Sequence, residues 1–171
     1  MFFLHNISFG FPAGNLLFNS INLTIPSHSK SALVGSNGMG KSTLLKIMAN
    51  EIEPLEGNVN SQGDLFYVPQ MFGNFNNLTV AECLKIEKKL DALQKITSGE
   101  VDEIYFETLN DDWDIEERCQ QALQYWKLEN LDLNQRLESL SGGQKTKVFL
   151  AGIQINQPEI ILLDEPTSGL D

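Results

Sequence analysis

The amino-acid sequence predicts an α/β fold, and three observations carry that reading. Roughly the first thirty residues alternate apolar and polar positions, the period of half-buried strands. A glycine cluster then stands between a short apolar run and a helix-forming stretch. The chain closes on four apolar residues followed by two carboxylates, with a long segment of helical spacing in between.

Taken in order, the first strands are read at Ile7-Ser8-Phe9 and Ile21-Asn22-Leu23-Thr24-Ile25, with turn chemistry at Pro12-Ala13-Gly14-Asn15 between them. Ala32-Leu33-Val34 is expected as a strand running into the glycine cluster, and Ser42 to Ala49 as the helix after it. Further strands are expected around Gly57-Asn58-Val59 and Leu65-Phe66-Tyr67-Val68. Thr79-Val80-Ala81-Glu82 has capping-box form, and the helix it opens places Cys83, Ile86, Leu90 and Leu93 on one face. A second helix is expected from Asp114 towards Trp126, with Cys119, Leu123 and Trp126 inward, and a third after Ser141. Ile160-Ile161-Leu162-Leu163 reads as a fully buried parallel strand.

Composition narrows the function classes. The 171 residues are 42% hydrophobic and 20% charged, in the range of globular domains, and are expected to fold as one domain. No run approaches the roughly eighteen apolar residues of a bilayer span. Met1-Phe2-Phe3-Leu4-His5-Asn6 lacks the basic and long apolar regions of a signal peptide, so a cytoplasmic protein is expected. Cys83 and Cys119 stand far apart without metal-ligand spacing and are expected as reduced thiols. A net charge of −11 works against direct nucleic-acid binding, which rests on Lys and Arg. The acidic run from Glu100 to Glu117 is read as a solvated face or loop.

Three motifs carry chemistry. Gly35-Ser36-Asn37-Gly38-Met39-Gly40-Lys41-Ser42-Thr43 matches G-x-x-x-x-G-K-[ST], in which glycines let backbone N–H groups converge on phosphate oxygens. Lys41 supplies charge to the β- and γ-phosphates, Ser42 a hydroxyl for Mg²⁺, and the following helix its positive end. The closing strand delivers Asp164 and Glu165 to its carboxyl end, where ligands of open α/β sheets collect. Asp164 suits Mg²⁺, and Glu165 suits the attacking water as base or orienting group. About twenty residues earlier, Leu140-Ser141-Gly142-Gly143-Gln144 reads as a capped helix start, Ser141 pairing with Gln144. Its two glycines allow close backbone approach to an anion.

In that order and company, the last motif resembles the signature of ATP-binding cassette (ABC) ATPases, and the resemblance extends over essentially the whole chain. It implies a phosphate-loop NTPase core of ABC type, with an N-terminal antiparallel β-subdomain and an inserted helical subdomain. Residues 1–75 and 143–171 would form the β-subdomain and nucleotide-binding core, and about 76–142 the helical subdomain, the cassette being cut after its D-loop. It further implies that Mg²⁺ and ATP bind, with Gln70, after Tyr67-Val68-Pro69, touching the metal. Phe11 would stack on adenine where the family more often has Tyr; a buried packing aromatic is the alternative. Ser168-Gly169-Leu170-Asp171 resembles the D-loop. A second cassette would pair head to tail, so that ATP on one phosphate loop meets Ser141, Gly142, Gly143 and Gln144 of the other. The family's switch histidine has no counterpart, since His5 and His28 precede the loop, so impaired hydrolysis and reduced stability are expected of these residues alone.

Two subclasses stay open. Gln144-Lys145-Thr146-Lys147-Val148, Ala81-Glu82-Cys83-Leu84-Lys85-Ile86 and Asp112-Trp113-Asp114-Ile115-Glu116-Glu117-Arg118 resemble soluble ABC-F proteins, whose partner is the ribosome. The Ser168-Gly169 pair resembles the ATPase subunit of a transporter, whose partner is a membrane-embedded subunit. A regulatory module without catalysis is a third reading, against which the carboxylate of Glu165 stands.

Overall fold

The computed structural model describes residues 1–11 and 14–166. They divide into two compact units, Met1–Tyr67 with Pro158–Asp164, and Val68–Gln157 with the residues from Glu165 on. No described helix is long and apolar enough to cross a membrane.

The first unit opens with an antiparallel sheet. β1 (Phe2–Gly10) lies between β2 (Leu16–Ile25) and β3 (Glu56–Ser61). Strict alternation fails inside β1: Leu4 and Ile7 are both buried, three positions apart. The cause is an irregularity at Asn6, whose φ of 52° lies in the left-handed region and shifts the register between Leu4 and Ile7. Asn6 and Asn22 pin that bend reciprocally, the Asn6 N–H donating to Asn22 Oδ1 at 3.0 Å and Asn22 Nδ2 to Asn6 Oδ1 at 3.0 Å. Gly57 crosses the same bend with φ 91°, and a Cβ there would stand 2.4 Å from the carbonyl oxygens of His5 and Asn6. Glycine is required at that position on two counts.

α1 (Lys41–Met48) buries Leu44, Ile47 and Met48. β4 (Leu65–Val68) pairs with β5 (Ile160–Leu163) in a separate two-stranded sheet. The Ile160 N–H donates to the carbonyl of Asp64, just ahead of β4, at 3.0 Å. The two strands therefore start side by side and run in the same direction. Fully buried side chains such as Ile7, Ile47 and Phe66 each contribute about 2 kcal/mol of transfer free energy.

Two expectations for this unit fail. Ala32-Leu33-Val34 forms no strand, and Val34 is 85% exposed. A strand exists through its neighbour's hydrogen bonds, and no described strand pairs with these residues. Nor is β5 fully buried: Leu162 is, while Ile161 and Leu163 stand 45% and 44% exposed. Among the described residues its ladder partner is β4 alone. The turn read at Pro12-Ala13 lies outside the described residues, although the Gly14 N–H does donate to the Phe11 carbonyl at 3.0 Å.

The second unit is helical. α2 (Val80–Cys83) carries the capping box read from sequence, with Glu82 N–H on Thr79 Oγ1 and Thr79 N–H on Glu82 Oε2. The helix expected to continue through Leu93 breaks at Lys85, whose φ of 59° turns the chain before α3 (Glu87–Thr97). Cys83, Ile86 and Leu93 are buried all the same and Leu90 half-buried, so the apolar spacing marks a shared core rather than one helix. α4 (Glu103–Leu109) packs on α3, and α5 (Ile115–Tyr125) on α6 (Gly142–Asn156). Cys119 and Leu123 are buried as expected, while Trp126 is only half-buried. Cys83 and Cys119 are free thiols, pushed up by burial to about 12 and about 11.

The acidic run is only partly a solvated face. Most of α4 is exposed, but the Asp112 side chain is 11% exposed and clamped by Lys89 at 2.5 Å and Arg118 at 2.6 Å. Arg118 also pairs with Asp114 and donates to the Ile155 carbonyl on α6. Burial works to raise the Asp112 carboxyl, but hydrogen bonds and charge from Lys89 and Arg118 hold it below its ordinary value. Its contribution is therefore present above the ordinary carboxylate range and is lost as pH falls through the lowered folded value. Asp112→Asn is expected to remove about 2 kcal/mol at neutral pH. Urea unfolding of both proteins at pH 7 and pH 3 checks this: the difference should shrink in acid.

Candidate functional site

The glycine loop is local chemistry made visible. Gly38 and Gly40 adopt φ 82° and 90°, and Gly40 is the residue from which α1 starts, its carbonyl accepting from the Leu44 N–H at 2.8 Å. Gly35, Ser36, Asn37 and Gly38 are exposed, Met39 is 62% exposed, and Lys41, Ser42 and Thr43 are half-buried at the helix start. Lys41 Nζ donates to the carbonyls of Gly35 at 2.8 Å and Ser36 at 3.1 Å, which holds the ammonium against the loop. An apolar hollow of about 180 Å³ is lined by Phe18, Leu33, Val34, Met39 and Leu44 together with the loop. The larger groove, about 890 Å³, is lined wholly by residues of the helical unit.

β5 ends where the sequence reading places its acids. Asp164 is 4% exposed, and its Oδ1 accepts from Ser42 Oγ at 3.0 Å. The first unit thus brings together the loop hydroxyl and the strand-end carboxylate, two residues expected to share a metal. Tyr67, near the end of the parallel neighbour β4, is 6% exposed. Its phenol is pushed above its ordinary value, chiefly by burial and then by the carboxylates of Asp164 and Glu51. Sequence reasoning missed Tyr67, because an aromatic inside a strand reads as packing. The usable signal was a polar aromatic three positions before Gln70.

Glu165 and Gln70 belong to the second unit, and the structure joins them as well. Gln70 Nε2 donates to Glu165 Oε2 at 2.6 Å. Glu165 is exposed and sits at φ 47°, a left-handed conformation that costs a non-glycine residue about 1 kcal/mol. Strain of this kind collects at functional sites.

Ser141 caps α6: the Gln144 N–H donates to Ser141 Oγ at 3.3 Å and the Ser141 N–H to Gln144 Oε1 at 3.0 Å. Ser141, Gly142 and Gln144 are exposed, and a Cβ on Gly142 would meet nothing within 4 Å, so this helix start is open to an incoming group. Lys145, one turn in, donates to Asn76 Oδ1 at 2.8 Å. Phe11 is 58% exposed and edge-on to Phe9 at 5.4 Å, which sets aside the buried-aromatic alternative. Ser168-Gly169-Leu170-Asp171 lies outside the described residues.

The donor chemistry fits magnesium. A hydroxyl and a buried carboxylate are hard oxygen ligands, and Mg²⁺ commonly takes only one or two protein oxygens beside phosphate and water. The loop itself rests on Gly40. A Cβ there would stand 2.7 Å from Leu17 Cδ2 and from Phe18 Cζ, at a φ that L side chains rarely adopt. Gly40→Ala is expected to cost about 1–2 kcal/mol and to weaken nucleotide binding in parallel. Thermal unfolding and ATP titration check it; unchanged values in both would show that the loop does not need this conformation.

Comparison with known proteins gives the family. The sequence profile of the ABC transporter family matches residues 18–168. Protein GCN20 of Saccharomyces cerevisiae is 35% identical over 98% of this chain, and ABC transporter F family member 3 of Arabidopsis thaliana 32% identical over 96%. The chain spans 20% of the length of each. The high-affinity zinc uptake system ATP-binding protein of Bacillus subtilis is 30% identical over 98% of this chain, which covers 71% of that protein. A solved dimeric cassette in a post-hydrolysis state, bound to ADP and Pi, is 26% identical with a TM-score of 0.67, over 100% of this chain and 76% of that one. The α/β organisation, the phosphate loop and these matches together establish that the chain belongs to the ABC transporter family and is an ATP-binding cassette of that family's ATPases.

Proposed function

We propose that the chain binds Mg-ATP on Gly35–Thr43 and supports its hydrolysis as one half of a head-to-tail cassette pair. The observation that carries the reading is the pairing of side chains far apart in sequence: Ser42 with Asp164 and Gln70 with Glu165. Phe11 would stack on the base, Lys41 and the loop N–H groups would hold the phosphates, Ser42 and Asp164 would hold the metal, and the family resemblance assigns Gln70 to it as well. Magnesium, when bound, neutralises phosphate charge. Glu165 orients or deprotonates the attacking water, with Gln70 fixing its carboxylate. Ser141, Gly142, Gly143 and Gln144 present a helix N-terminus to the nucleotide of a second cassette. The dimeric solved cassettes support the pairing. Residues 1–75 and 143–171 serve as β-subdomain and nucleotide-binding core, and about 76–142 as helical subdomain.

Within the family, the reading favoured is a soluble, cytoplasmic ABC-F ATPase acting at the ribosome. Its support is the likeness to the F family member and the segments at Asp112 and Lys145. The second reading, ATPase subunit of a membrane transporter, is favoured by Ser168-Gly169 and by the likeness to the zinc uptake protein.

Glu165→Gln in the full-length protein is expected to retain ATP while turnover falls. Its ATP-dependent pelleting with ribosomes is the expected result. Recovery with membranes instead would move the assignment to the transporter subunit, and normal turnover would remove Glu165 from its role. For a polypeptide of these 171 residues alone, whose histidines both precede the loop, the expected steady turnover is below about 1 per second. A phosphate-release assay measures it.

A further inference from the structure

Tyr67 holds a polar atom that the fold leaves without a hydrogen bond of normal geometry. Its side chain is 6% exposed, and its hydroxyl is buried without a hydrogen-bond partner. Buried hydroxyls are almost always paired, so an orphan in a well-packed strand needs a reason. Replacing Tyr by Phe would remove the unsatisfied group and keep the ring, so packing does not explain the oxygen.

Its neighbour supplies the reason. β4 and β5 start side by side at Asp64 and Ile160 and run together, so Tyr67 near the end of one and Asp164 just past the end of the other come to the same edge. The Asp164 carboxylate acts on the phenol by its charge and as a hydrogen-bond acceptor close by, yet no bond of normal geometry joins the two. Asp164 is itself 4% exposed, with Oδ1 held by Ser42. A single hydrogen bond to Oδ1 narrows the broad rotation about the Cβ–Cγ bond without ending it. A buried donor beside it can remove that freedom, and a bond between a phenol and a carboxylate is of the stronger, charge-assisted kind.

We propose that Tyr67 is a positioning residue of the magnesium site: its hydroxyl donates to the Asp164 carboxylate when Mg-nucleotide is bound, fixing a plane that Ser42 alone only restricts. The proposal rests on the assignment of Asp164 to the metal. In this assignment Tyr67 acts through Asp164.

The test compares the full-length wild-type protein, Tyr67→Phe and Asp164→Asn. For each, ATP affinity is titrated with magnesium and with EDTA, and melting temperature is recorded without nucleotide and with Mg-ATP. In Tyr67→Phe the magnesium-dependent gain in affinity should fall about tenfold, the scale of one hydrogen bond to a charged group. Its EDTA affinity should be unchanged, and its melting temperature without nucleotide equal or higher, since only an unpaired hydroxyl is lost. A full magnesium gain in Tyr67→Phe, alongside its loss in Asp164→Asn, would overturn the proposal and leave the Asp164 assignment intact. A drop in melting temperature as large without nucleotide as with it would make Tyr67 a structural residue and equally overturn the proposal. A full magnesium gain in Asp164→Asn would remove the assignment on which the proposal stands.

Discussion

Ser42 and Asp164 lie 122 positions apart, and one hydrogen bond of 3.0 Å joins the first turn of α1 to the end of β5. The organisation of the first unit can be read from what that bond requires. The loop must deliver Ser42 to a helix start, which needs Gly40 at φ 90° against Leu17 and Phe18 of β2. The strand must deliver Asp164 to its carboxyl end, which needs β5 in register with β4 from Asp64 onwards. Lys41 is tied down separately by the carbonyls of Gly35 and Ser36, so the ammonium and the hydroxyl of adjacent residues are fixed by different partners.

The helical unit has its own fixed point in Asp112. One carboxylate takes Lys89 from α3 and Arg118 from α5, and Arg118 reaches on to a carbonyl of α6. Three helices are thereby registered through one partly buried charge, while Ile115, beside it in sequence, fills the core at 0% exposure. The segment at Asp112–Arg118 that resembles ABC-F proteins thus has a packing explanation here. Its residues keep α3, α5 and α6 together whichever partner the protein serves. Lys145 acts similarly at the other end of α6, reaching Asn76 ahead of α2.

The features legible in the sequence were those whose physics is local. Both capping boxes could be read because their partners lie three residues apart, and the phosphate loop because its glycines sit at fixed offsets from Lys41. What needed a distant partner was misread. Ala32-Leu33-Val34 has the composition of a strand, but composition carries no information about which ladder receives it. Four apolar residues in β5 said that burial was available, not that both faces were covered. The break at Lys85 escaped because Cys83, Ile86, Leu90 and Leu93 keep helical spacing across a left-handed residue. Asp112 was hidden within an acidic run, where one clamped carboxylate has the same letter as its solvated neighbours.

Tyr67 belongs to the same class of blindness, and it shows where to look next in such a fold. Glu165 is strained at φ 47°, Lys41 leans on backbone carbonyls, and the Tyr67 hydroxyl is buried without a partner. The first and last are local rules broken, and all three involve either a residue assigned to the chemistry or, for Tyr67, one beside such a residue. Left-handed residues also stand elsewhere, at Asn6 and Lys85 among others, and Trp126 Nε1 is a second buried polar atom without a partner, so what sets Tyr67 apart is its place beside Asp164. A partner that arrives with the nucleotide gives that hydroxyl a use.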